Sequence, residues 1–177
     1  MDTFNLFVYG TLMRGFRSNL HFIPRDSEML DGMITGNLYH YRAGFPMVEI
    51  FNNQKSIIGS YDYLRDIKEQ NNLNRVEPEC LPFNLNYGRV YGELYKIPYD
   101  EEVLSALDSY EGFSPENETY YTRTLVPVQT SDKIIWAWVY NVKEMPDSCV
   151  RIYSGDWKDC FYSNHGGLRP ELVKYKF

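Results

Sequence analysis

Cysteine and histidine are scarce in this chain of 177 residues, with three of each. Cys80, Cys149 and Cys160 stand far apart with no Cys-x-x-Cys pair, and His21, His40 and His165 are equally scattered. No zinc pattern can be written from them, and a disulfide framework is not expected at this size and count. The expectation is therefore no metal and a reducing, cytoplasmic compartment. Long apolar runs are missing too. Nothing approaches the ~18 residues of a membrane span, and the opening MDTFNLFVYG has no basic region ahead of an apolar stretch, so no secretory leader is expected. Positive charge is in deficit, with 18 Lys and Arg against 24 Asp and Glu and a net charge of −6. Nucleic acid and anionic membrane both require clustered cations, so neither is an expected partner. No Gly-x-Ser-x-Gly elbow occurs, which argues against an acyl enzyme built on a serine nucleophile.

Aromatic residues, by contrast, are plentiful, at 16% with 16 tyrosines. Tyrosine favours strands, and it can also close a pocket with its ring while its hydroxyl donates a hydrogen bond. An apolar share of 44% and this length fit one soluble domain with a full core. We place that domain at 1–162, with 52–87 as an elaborated insertion, because its many Asn and Pro residues leave too little to bury. A polar tail follows at 163–177.

Apolar patterning predicts strands at 4–9, 37–41, 47–51, 89–97, 122–130 and 133–142, with Ser131-Asp132 as a hairpin turn and Gly44-Phe45-Pro46 as another turn. Both faces of 133–142 are apolar, so that strand should be covered on both sides. Gly92 inside a strand marks a bulge or a close approach. A short helix is expected over 61–70, with Tyr61, Leu64 and Ile67 inward and Asn71-Asn72 ending it. A second helix is expected over 101–111. Asp100 is its N-cap, Glu101 and Glu102 lie in its first turn, Val103, Leu104 and Leu107 form its apolar stripe, and Gly112 stops it.

Glu111 lies four residues after Leu107 and seven after Leu104, so it projects from the core-facing side of this helix. It either frays to solvent or pairs with an arginine at the end of the helix, or it sits inward with a raised pKa that suits a group trading protons near neutral pH. Asp108 sits at the edge of the same face and suits a salt bridge or a loop cap. The complement is FVYGTL at 7–12, a strand ending in a glycine turn. Gly10 and Gly15 permit backbone angles that other residues resist. Successive N–H groups in Tyr9-Gly10-Thr11-Leu12 can cradle a carboxylate or an oxyanion through the main chain, with the Thr11 side chain the lesser donor.

These segments together resemble the γ-glutamylcyclotransferase-like superfamily, with its butirosin-biosynthesis BtrG, γ-glutamylamine cyclotransferase and AIG2-like branches. The resemblance runs through FVYGTLMRG at 7–15, LYHYRAGFPMVEI at 38–50, GRVYGELYKI at 88–97, LDSYEGF at 107–113, YYTRTLVPV at 120–128, AWVYNV at 137–142 and SGDW at 154–157. It implies an α+β fold, a small closed mixed β-barrel with flanking helices, and a cavity at one barrel end. It implies that Glu111 is the catalytic acid/base, and that Tyr9, Gly10, Thr11, Leu12, Tyr121 and Tyr140 bind substrate, the last two with their hydroxyls toward it. The implied reaction cyclises a γ-glutamyl group to 5-oxoproline and releases the attached amine, and it needs no metal, nucleotide or redox cofactor. The implied partner is a small γ-glutamyl compound whose amine could belong to a peptide, an amino acid, a simple amine or a carrier-bound acyl group. A non-catalytic AIG2-like binding or regulatory domain is the alternative, and a pure binder gains little from an inward carboxylate.

Overall fold

The computed structural model describes residues 2–50, 57–76, 86–115 and 121–164. Among the described residues, seven strands and four helices follow one another: β1 Thr3–Val8, α1 Arg17–Phe22, β2 Glu28–Tyr41, β3 Phe45–Ile50, α2 Tyr63–Arg75, β4 Gly88–Pro98, α3 Glu101–Glu111, β5 Tyr121–Gln129, β6 Ile134–Val142, β7 Val150–Ile152 and α4 Trp157–Asn164. Five of the strands close on themselves. The order β2-β4-β1-β6-β5 returns to β2 through a Met33–Gln129 pairing. Every pairing is antiparallel except β1 with β6, which run parallel with Leu6 beside Trp138. The result is the expected small, closed, mixed barrel with flanking helices. Strands β3 and β7 extend it by flanking the far half of β2.

Closure seals the barrel core, and Phe4, Leu6, Leu94, Ile97, Val128, Ala137 and Trp138 lose all contact with water. Most of β6 is buried on both faces, as its sequence indicates. Gly92 allows a close approach, because a Cβ there would overlap the Val8 carbonyl and the Phe7 ring. Helix α3 follows its capping signals. The Asp100 side chain accepts from the N–H groups of Glu102 (2.9 Å) and Val103 (3.2 Å). Gly112 closes the helix in the left-handed region at φ 68°.

Other expectations need correction. Strand β2 begins nine residues before the expected 37, because nine successive pairings with β4, from Glu28–Lys96 to Gly36–Gly88, override the weak local pattern. Helix α2 passes through Asn71-Asn72 to Arg75. It turns Tyr63, Asp66, Ile67 and Gln70 inward, leaving Tyr61 and Leu64 exposed. The reason is polar. Gln70 accepts from the Asn5 N–H (2.7 Å) and donates to the Thr3 carbonyl (3.1 Å), while Asn74 binds both polar groups of the Trp136 backbone, so hydrogen bonds to the β1 and β6 backbones set the helix register alongside the core contacts of Tyr63 and Ile67. Parts of the 52–87 insertion and nearly all of the 163–177 tail lie outside the described residues.

Candidate active site

Parallel pairing of β1 and β6 brings their C-terminal ends to the same mouth of the barrel. Tyr9 to Leu12 leave β1 there, and Tyr140 lies near the end of β6. Strand β5 runs opposite to β6, so its first residue, Tyr121, starts at this mouth beside Val142. Helix α3 ends there with Glu111. Together they enclose a cavity of about 400 Å³, lined by Phe7, Val8, Tyr9, Gly10, Thr11, Leu12, Ala43, Gly44, Phe45, Pro46, Tyr110, Glu111, Tyr121 and Tyr140. That volume suits a small organic ligand. All seven expected site residues, from four separate elements, share this one cavity.

The turn after β1 is compact. The Met13 N–H donates to the Gly10 carbonyl (2.9 Å), and the Phe16 N–H to the Met13 carbonyl (3.2 Å). Among the described residues, neither the Thr11 nor the Leu12 N–H has a hydrogen-bond partner. The far side of the loop is pinned. Asn19 donates to the Leu12 carbonyl (2.7 Å), and the buried Glu93 accepts from the Arg14 N–H (2.6 Å) while Lys158 (2.8 Å) neutralises it. The expected reason for Gly10 is corrected here. Its φ is not positive, whereas that of Gly15 is 97°. Gly10 is instead required by space, since a Cβ would run into the Pro46 ring of the β2–β3 hairpin.

Glu111 is half-buried at the end of α3. Loss of water pushes its carboxyl up to about 7, and the nearby Asp108 carboxylate adds to the shift. Among the described residues it does not pair with an arginine. Asp108 does, as one of the readings of its position anticipated. The fully buried Arg123 bridges Asp108 (2.6 Å) and Asp66 (2.6 Å), and its guanidinium lies over the rings of Phe113 (4.7 Å), Tyr63 (5.2 Å) and Phe4 (5.3 Å). Asp108 also accepts from the hydroxyls of Tyr63 (2.8 Å) and Tyr140 (2.6 Å).

That last contact corrects a second expectation. Tyr140 lines the cavity, but its hydroxyl is committed to Asp108 rather than aimed at a ligand. Tyr9 likewise donates to the Tyr140 carbonyl (2.8 Å). Burial raises the pKa of Tyr9, Tyr121 and Tyr140, so all three stay neutral near pH 7. Sequence reasoning missed Tyr110 and the Ala43-Gly44-Phe45-Pro46 wall. The first stands directly before Glu111; the second read only as a turn. Among the described residues, no three His, Cys, Asp or Glu side chains converge to hold a metal ion.

Comparison with known proteins gives concordant results. The family described as gamma-glutamyl cyclotransferase, AIG2-like, matches residues 6–86 and 78–159. No curated protein matches the chain. Among solved structures, YkqA from Bacillus subtilis aligns with a TM-score of 0.55 and 24% identity over 93% of this chain, which spans 43% of the YkqA chain. An AIG2-like protein from Mus musculus aligns with a TM-score of 0.52 and 18% identity, covering 98% of this chain and 100% of the mouse protein. The uncharacterized PH0828 from Pyrococcus horikoshii gives 0.51 and 18%, over 92% of this chain and 97% of its own. At these identities the alignments speak to the fold.

Proposed function

Because the chain belongs to the gamma-glutamyl cyclotransferase, AIG2-like family, we propose that it converts a γ-glutamyl compound to 5-oxoproline and releases the attached amine, with Glu111 as the general acid/base. The observation that carries this reading is a partly buried carboxyl with a pKa raised to about 7, in one cavity with a glycine turn whose Thr11 and Leu12 N–H groups have no partner among the described residues.

The chemistry is intramolecular. The α-amine attacks its own γ-carbonyl carbon, so the nucleophile is already tethered and the protein mainly has to fold the substrate into a near-attack shape. Ionised Glu111 takes a proton from the amine as the new C–N bond forms. The Thr11 and Leu12 N–H groups stabilise the oxyanion of the tetrahedral intermediate or hold the substrate carboxylate. Protonated Glu111 then returns the proton to the departing nitrogen, the old C–N bond breaks and the lactam is left. A carboxyl titrating near 7 is suited to both transfers. The neutral tyrosine walls exclude water, which keeps hydrolysis from competing.

The test is a panel of γ-glutamyl peptides, amino acids and amines assayed for 5-oxoproline. Release from one or more members supports the reading. Release of glutamate in place of 5-oxoproline, or no turnover of any member, counts against it.

A further inference from the structure

A row of three hydroxyls leads into the cavity. Ser18 Oγ on α1 lies 2.8 Å from the Tyr110 hydroxyl, which lies 3.0 Å from Thr11 Oγ1. Thr11 and Tyr110 line the cavity, whereas Ser18 stands behind them. The Tyr110 ring is braced against Phe22 at 4.4 Å between centroids, so the row is held by packing as well as by hydrogen bonds.

Each hydroxyl carries one proton to donate. Three protons serve two contacts, so one is always left over. When Ser18 donates to Tyr110 and Tyr110 to Thr11, the spare proton is on Thr11. When both neighbours donate to Tyr110, it is on Tyr110 itself. Either arrangement presents a donor to the cavity, and only the reverse order leaves it on Ser18. No Lys, Arg or His is among the described residues lining this cavity. An anionic group entering it must be met by neutral donors, and a negative charge favours the two arrangements that turn a proton toward it.

We propose that the Ser18–Tyr110–Thr11 row is a carboxylate-recognition device, with Tyr110 the specificity residue that positions or supplies the hydroxyl donor. It works beside the Thr11 and Leu12 N–H groups of the turn and distinguishes a ligand bearing a carboxylate from its uncharged amide. This rests on the function proposed above, in which substrate and product both carry such a group.

The experiment measures binding of 5-oxoproline and of 5-oxoprolinamide to the full chain by calorimetry. Tyr110→Phe keeps the ring against Phe22 and removes only the hydroxyl. Its affinity for 5-oxoproline should fall roughly tenfold or more, the scale of one hydrogen bond to a charged group, while its affinity for the amide, whose carbonyl makes only a neutral hydrogen bond, should fall by a clearly smaller factor. Thr11→Val should match it, and the double variant should be little worse than either single one, because the hydroxyls act as a unit. Equal losses for acid and amide would show general damage to the wall and overturn the proposal, as would unchanged binding of the acid. If the unaltered protein binds neither compound, the proposed function falls as well. If it binds both and Tyr110→Phe changes nothing, only the hydroxyl row is wrong.

Discussion

Glu111 carries two effects of opposite sign, and both can be measured. Glu111→Gln keeps the size and most of the hydrogen bonding but cannot cycle a proton, so turnover of a confirmed substrate should fall by a factor of roughly 10² or more. The native pKa of about 7 lies above that of an unfolded glutamate. Between about pH 4.5 and 7 the native state therefore binds more protons at this site than the unfolded state, and stability falls as pH rises through that window. Removing the carboxyl lifts the penalty. Denaturant titrations should find Glu111→Gln more stable than the parent at pH 8 and nearly equal to it at pH 4. A gain of the same size at both pH values would mean that Glu111 titrates like an exposed group. The acidic limb of the activity profile should likewise lie near 7, the ionised carboxyl being the base.

Among the elements, the turn after β1 and the β2–β3 hairpin fit each other through a single missing side chain. Gly10→Ala should drive the Pro46 ring outward and shift the cavity wall. Displacements of this kind near reacting groups can cost up to about 10² in rate, so a loss of at least tenfold in kcat/KM is expected. Pro46→Ala removes the atoms that the new Cβ meets. The Gly10→Ala/Pro46→Ala pair should therefore recover much of the activity, and a pair as poor as Gly10→Ala alone would show that Gly10 serves some other need. Helix α3 offers a control at its opposite end. Asp100→Ala removes the cap and should cost about 0.5–2 kcal/mol, read as a few degrees in Tm, while leaving kcat nearly unchanged because Glu111 lies eleven residues on.

Across the whole molecule, Arg123 joins parts that are remote in sequence. It ties Asp66 of α2 and Asp108 of α3 to the barrel strand β5, beside Tyr140 on β6. Truncating it to Leu would leave two buried carboxylates without a cation. Losses of about 3–5 kcal/mol are usual for breaking a buried ion pair, so Arg123→Leu should show a large drop in the denaturant midpoint and a marked sensitivity to rising pH. Asp66→Asn should cost less, since Arg123 keeps Asp108. Equal effects from the two substitutions would mean that the network is not organised around the arginine.

Local sequence settled much of this protein. The span of α3, its cap at Asp100 and its stop at Gly112 follow from propensities and terminal hydrogen bonding that act within one or two turns. The inward register of Glu111 follows from helical geometry alone, and the paired faces of β6 from a period of two. The resemblance carried by FVYGTLMRG and LDSYEGF pointed to the barrel and to the members of the cavity. What depends on contacts between remote residues could not be read locally. The early start of β2 comes from its ladder with β4, and the polar docking of α2 comes from hydrogen bonds to the backbones of Thr3 and Asn5 on β1 and Trp136 on β6. Tyr140 turns to Asp108, the same carboxylate that Arg123 holds. Tyr110 gains its place through Ser18 and Thr11, some ninety and more residues away. Chain closure decides which hydroxyl meets which partner, and a linear pattern holds no record of that choice.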